Sequence, residues 1–172
     1  MNAFILVIPL FLIRFGLLGR MNRSALSRAA LFAPTEGGER VASLLYQIMN
    51  IFIILYPLFL KVQTKPPKFS MGLFIYILGI IVLIFSTIAF AKPNRSGLNA
   101  NGIYKVSRNP MYIGYFLYFL GCAVLMNSIL LFITLLIFQI SAHWIILSEE
   151  KWCIKNFGSE YVSYMNRVRR YF

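Results

Sequence analysis

Hydrophobic residues run along this chain in five long blocks, roughly 3–19, 41–60, 71–91, 110–126 and 128–147, separated by short polar stretches. Each block is close to the roughly 20 residues that take a helix across a bilayer. Strand-like alternation is absent, and a backbone in hydrocarbon must satisfy its own polar groups, so the blocks predict helices. The pattern predicts one all-α integral membrane domain, residues 1–172, with about five transmembrane helices. Tyr115 to Leu147 is apolar except at Asn127-Ser128, so the last two helices are predicted to form a tight hairpin that returns to its starting side.

That hairpin separates two polar motifs. The first runs from Gly102 through Tyr104, Arg108, Asn109, Pro110, Met111 and Tyr112 to Gly114. The second comprises Glu149-Glu150, then Phe157-Gly158-Ser159-Glu160-Tyr161 and Tyr164. Two crossings bring both motifs to the same membrane face, which is how a site is assembled from distant sequence. The second motif predicts a short amphipathic C-terminal helix, with Tyr161 and Tyr164 on one face.

Composition agrees with the pattern: 59% of residues are hydrophobic and 13% charged. A soluble domain of this length has no way to bury so much apolar surface, whereas lipid accepts it. No basic residue opens the first block and no small-residue cleavage site follows it, so a retained helix is expected rather than a cleavable signal. The net charge of +12 has a distribution that explains it. Arg20, Arg23, Arg28 and Arg40 fall in one segment, Lys92, Arg95, Lys105 and Arg108 in a second, and Lys151, Lys155, Arg167, Arg169 and Arg170 in a third. Five spans put those segments on one side and Lys61, Lys65 and Lys68 on the other. The positive-inside bias makes the first side cytoplasmic, with the N-terminus outside, and an inner or plasma membrane is the expected location.

 The same clusters attract anionic lipid head groups, so membrane lipids are the expected partners and nucleic acid is not.

The connection Lys92 to Asn109 is polar and conformationally permissive, with Pro93, Gly97 and Gly102 among several asparagines. Such a segment leaves backbone N–H and C=O groups available to a ligand. Pro110 suits the first turn of a helix, whose free N–H groups then face the loop. Pro57 predicts a kink late in the second span, and Glu36-Gly37-Gly38-Glu39 predicts a turn. Glu149-Glu150 closes the fifth span, where it either binds a cation or pairs with Arg108 as a structural salt bridge. Cys122 and Cys153 lie in different environments, so no disulfide is expected, and a single His with no Asp makes a metal site unexpected. His143 reads as a hydrogen-bonded interior residue beside Trp144.

Together, the Gly102–Gly114 block, Glu149-Glu150 and Phe157-Gly158-x-Glu160-Tyr161-x-x-Tyr164 resemble the isoprenylcysteine carboxyl methyltransferases and the related phospholipid methyltransferases, over roughly residues 92–172. The resemblance implies an S-adenosylmethionine-dependent methyltransferase, with residues 1–91 as scaffold and 92–172 as the cofactor-binding core. It implies a cytoplasmic cofactor site and a lipophilic substrate entering from the bilayer. Matched residue by residue, it assigns cofactor contacts to Ser96, Gly97, Leu98, Asn99 and Tyr104, then to Asn109, Pro110, Met111, Tyr112 and Glu149. Arg108, Glu149 and Glu150 are the candidate catalytic residues. Two positions depart from the family: Asn109 stands where its motif has histidine, and Ile145 where the prenylcysteine enzymes carry an arginine thought to hold the substrate carboxylate. Prenylcysteine is therefore not the expected acceptor.

Two other readings are open on the sequence. A membrane sterol or steroid reductase using NADPH has a similar asparagine–proline–tyrosine pattern, but usually an acidic residue where this chain has Tyr115. A small transporter or adaptor would group polar residues at mid-membrane, where Arg14, Gln47, Asn50, Gln139 and His143 are scattered along the sequence.

Overall fold

A computed structural model describes residues 1–30 and 38–171. Helix α1 (Ala3–Met21) is followed by a short α2 (Arg23–Ala30), then α3 (Gly38–Leu55), α4 (Lys68–Phe90), α5 (Pro110–Leu125), α6 (Ile129–Phe157) and α7 (Ser159–Arg167). Four helical stretches, Ala3–Met21, Glu39–Phe59, Lys68–Ala91 and Ile129–Phe157, are long and apolar enough to cross a membrane, and α5 is a shorter apolar helix. Among the described residues no strand forms; Asn2 and Lys61 make an isolated bridge. The fold is all-α and integral to the membrane.

The chain ends sort the loops into two sets. At one end, Ala3 N–H donates to Leu60 O, Val62 N–H to Met1 O, and Gln63 N–H to Leu125 O. At the other, the Asn22 side chain bonds Ala91 O, Lys151 pairs with Glu39 at 2.5 Å, and Arg108 N–H donates to Arg169 O. Both polar motifs are thus at one end, beside the segments that hold most of the basic residues.

Three local features differ from expectation. Helix α6 does not stop near residue 147 but runs to Phe157, where Gly158 at φ +53° ends it. At 1.5 Å per residue its 29 residues span about 43 Å, longer than a hydrocarbon core of about 30 Å. Glu149 and Glu150 therefore lie within a continuous helix rather than at its close. Pro57 does not simply kink α3: the α-helix stops at Leu55 and Tyr56–Phe59 forms a 3₁₀ turn. Of the turn expected at Glu36–Glu39, Glu36 and Gly37 lie outside the described residues, while Gly38 and Glu39 open α3.

The turn Met126–Ser128 is tight, and Ser128 caps α6 by accepting from Leu131 N–H. Yet α5 packs chiefly against α4, and α6 against α3. Glycines dictate the first of these contacts. Gly72 and Gly79 on α4, and Gly114 and Gly121 on α5, are each spaced by seven residues and face the opposite helix. A Cβ at Gly121 would lie 2.5 Å from Tyr76 N, and one at Gly79 would overlap the Tyr118 backbone. Small residues permit this approach, and van der Waals packing then holds the helices where no hydrophobic force acts between them. The Tyr76 and Tyr118 rings lie tilted against each other beside the seam, and both hydroxyls donate to Leu6 O, which fastens α1 to the pair.

Gly79→Val should lower the thermal midpoint in detergent by the equivalent of about 1–3 kcal/mol, because backbone atoms of α5 must move. Gly16→Ala is the control: nothing lies within 4 Å of the added methyl, and its midpoint should hold or rise slightly.

Candidate functional site

The loop between α4 and α5 is built by its own polar side chains. Asn94 Oδ1 accepts from Leu98 N–H at 2.8 Å, and Asn94 N–H donates to Leu98 O at 2.9 Å, closing a compact loop. Gly97 supplies the φ of +92° that the loop needs. Ser96 Oγ and Asn94 Nδ2 both donate to Glu160 Oε1, at 2.8 and 2.7 Å, so the first turn of α7 holds the loop in place. Beneath it Leu98 packs with Tyr161 and Tyr164. The Tyr164 hydroxyl donates to Tyr104 O at 2.6 Å, and burial raises the pKa of both phenols, which stay neutral.

A second fastening lies deeper. Glu150 is buried and faces two arginines: Arg108 Nη2 at 3.0 Å, and Arg170, which donates from Nε at 3.0 Å and Nη2 at 2.7 Å. Asn109 Nδ2 and Ser107 Oγ both donate to Arg170 O at 3.2 Å. The His143 ring shares a 2.7 Å hydrogen bond with the Tyr171 hydroxyl. The chain's last residues thus close over the start of α5.

Between these fastenings a cavity of about 610 Å³ opens from the polar end into the bundle. Gly97, Leu98, Asn99 and Tyr104 line it from the loop. Asn109, Met111 and Tyr112 line it from the start of α5, and Glu149 from α6. Tyr112 joins the two helices, its hydroxyl donating to Glu149 Oε1 at 3.1 Å. Arg108 and Glu150 also reach the wall, already paired with each other. The remaining two predicted contacts stand back from it. Ser96 spends its hydroxyl on Asn94 and Glu160, and Pro110 is buried behind the wall. Ile145 packs in the core.

Two polar atoms of this wall are buried without a partner, Asn99 Oδ1 and Arg108 Nε. Buried polar groups are nearly always satisfied, so an acceptor and a donor left open beside a cavity suit a polar ligand. Asn109 makes no side-chain cap on α5, and Met111 and Tyr112 of its first turn line the cavity, where the helix dipole favours an anion. The set therefore suits a polar ligand that carries an anionic group toward the first turn of α5 and a hydrogen-bond donor toward Glu149.

The cavity also gathers residues that looked unrelated along the chain. Arg14 and Asn50, scattered in sequence, both line it, with Tyr46 and Tyr115. Arg14 Nη1 donates to Met111 Sδ at 3.3 Å. The usable sequence signal was an arginine inside an apolar run, since such a residue costs about 2.5–3.5 kcal/mol at mid-membrane and is retained where it faces an interior. Nothing in sequence spacing tied it to Met111.

Glu150→Gln should destabilise the protein by about 3 kcal/mol, read by denaturation in detergent, because two arginines lose their shared counter-charge. This is the low end for broken buried pairs, since the Arg170 side chain stays 33% exposed.

Comparison with known protein families gives a match to the phospholipid methyltransferase family over residues 68–160, just over half of the chain. The match starts at α4, earlier than the motifs alone suggest, and so includes the glycine seam that positions α5. Comparison with curated proteins and with solved structures gives no match. With the family match and the membrane-spanning helices together, the chain belongs to the phospholipid methyltransferase family and is a multi-pass membrane methyltransferase.

Proposed function

We propose that this protein transfers a methyl group from S-adenosylmethionine to a lipophilic or membrane-delivered small acceptor, a carboxylate, thiol or amine, at the cytoplasmic face of the membrane. One observation carries the reading: one cavity joins the first turn of α5 and Glu149 to the apolar interior of the bundle. A polar donor molecule and a greasy acceptor need such a shared space. The cytoplasmic orientation is supported by the basic segments gathered at the end that holds the cavity mouth.

When bound, S-adenosylmethionine supplies a methyl group activated by a sulfonium. Glu149 and the first turn of α5 would hold its polar end, and Asn99 Oδ1 would accept a further hydrogen bond. Tyr112, bonded to Glu149, fixes that carboxylate's orientation. Phe119 and Phe138 give the inner part of the cavity an apolar wall. Alignment of two reactants in a dry site can account for about 7–11 kcal/mol of barrier lowering. A carboxylate or thiolate acceptor needs no general base, whereas an amine must lose a proton.

Glu149→Gln should weaken S-adenosylmethionine binding at least tenfold, measured by equilibrium dialysis of the purified protein in lipid nanodiscs. Unchanged affinity would refute this assignment, and retention of NADPH in place of S-adenosylmethionine would favour a reductase. Incubating membrane lipid extracts with methyl-labelled donor should yield one labelled lipophilic product that is absent with the variant.

A further inference from the structure

The helices of the bundle form two layers, with the cavity between them. In one layer α5 packs on α4 along the glycine seam, and α1 joins the pair through Leu6 O and through the Asn22 bond to Ala91 O. In the other, α3 packs on α6, with Tyr46 stacked on Phe138 at 4.6 Å between ring centroids and Glu39 paired with Lys151. A space between two layers has two long edges, and these two are built differently.

The edge between α5 and α6 is fastened. Glu150 draws Arg108 and Arg170 together, and Tyr171 ties the C-terminal segment to His143, about two turns along α6. Opening this edge would leave a buried carboxylate short of its partners, which is costly. At the edge between α1 and α3, the helices meet mainly through Ala3–Val7, at the end away from the polar motifs. Beyond that contact their backbones stand apart, with Phe11 and Phe15 lining the cavity from α1, and Asn50 and Ile54 from α3.

Exposure separates an opening from a wall. Leu10, Tyr46, Phe119 and Phe138 line the same cavity and are each 7% exposed or less. Phe11 and Phe15 also line it, yet are 40% and 58% exposed. Their rings stack one helical turn apart, and Gly16 beside them meets nothing within 4 Å. Phe15 lies in Leu12–Leu17, where the backbone widens to π-helical geometry, a rare feature that recurs at functional sites. Since α1 and α3 both cross the membrane, this edge opens onto hydrocarbon.

We propose that the edge between α1 and α3 is the acceptor's side entrance, with Phe11 and Phe15 as the gate that sets how readily a hydrocarbon chain passes. The fastened edge between α5 and α6 stays shut throughout. The inference rests on the methyltransferase reading of the cavity and adds to it a route and the residues that control it.

The test uses the full-length protein in phosphatidylcholine nanodiscs and hexadecanol carrying a mid-chain diazirine, with photoadducts at Phe119 and Phe138 read by mass spectrometry. Excess plain hexadecanol should suppress these adducts. Phe15→Ala should raise their initial rate of formation about threefold, and Phe11→Trp with Phe15→Trp should lower it at least fivefold. Both proteins should keep S-adenosylmethionine affinity within about twofold. Tyr171→Phe, which loosens the fastened edge, should leave the labelling rate unchanged. If the double tryptophan variant does not fold, Phe15→Ala and Tyr171→Phe carry the test. Labelling indifferent to Phe11 and Phe15, or accelerated by Tyr171→Phe, overturns the gate even where S-adenosylmethionine is retained. Labelling that follows the Phe15 variants in a protein that retains no S-adenosylmethionine supports the gate and overturns the methyltransferase reading instead.

Discussion

Glu150 ties three separate stretches of chain together at one point. Its carboxylate accepts from Arg108, just before α5, and from Arg170, near the C-terminus, while its own backbone belongs to α6. Removing water from a carboxylate and a guanidinium is costly unless geometry and further hydrogen bonds compensate. Here Arg170 binds in two places, and its carbonyl oxygen accepts from Ser107 and Asn109. The start of α5 is thereby fixed against α6, with Asn109 occupied by the C-terminal segment instead of capping its own helix. The first turn of α5 is thereby left without a side-chain cap beside the cavity.

A parallel economy runs through the loop above. Glu160 serves as a clamp for Asn94 and Ser96, so the second motif contributes to the cavity by shaping the first. Tyr161 and Tyr164 support Leu98 from beneath. Residues that read as one cluster of site chemistry thus divide into those that line the space and those that hold the lining in place. The glycine seam between α4 and α5 does the same at longer range, since it sets where α5 begins.

The adjacent glutamates show why neighbouring residues need not share a role. They are consecutive on one helix, so their side chains point about 100° apart. Glu150 turns toward the arginines and is consumed by them. Glu149 turns into the cavity, where Tyr112 is its hydrogen-bond partner. Their order in sequence is no guide to this, because it depends on where α5 and the C-terminal segment come to rest.

Much was legible from residue order alone. Block length and the requirement that backbone groups be satisfied in lipid led to helices, their number, and the return of both motifs to one end. Local chemistry also sufficed for the break at Asn127-Ser128, the helix start at Pro110 and the amphipathic α7. What distance along the chain could not convey was contact. The end of α6 depends on how far a helix projects beyond hydrocarbon, and hydropathy marks only the hydrocarbon. The assignment of Ser96 and Pro110 to support rather than lining depends on side-chain direction. Arg14 meets Met111 across 97 positions of sequence, through a widened turn in α1 that no periodicity announces. Hydrophobic pattern is a one-dimensional record of which faces avoid water; the company each polar group keeps is settled only when helices pack.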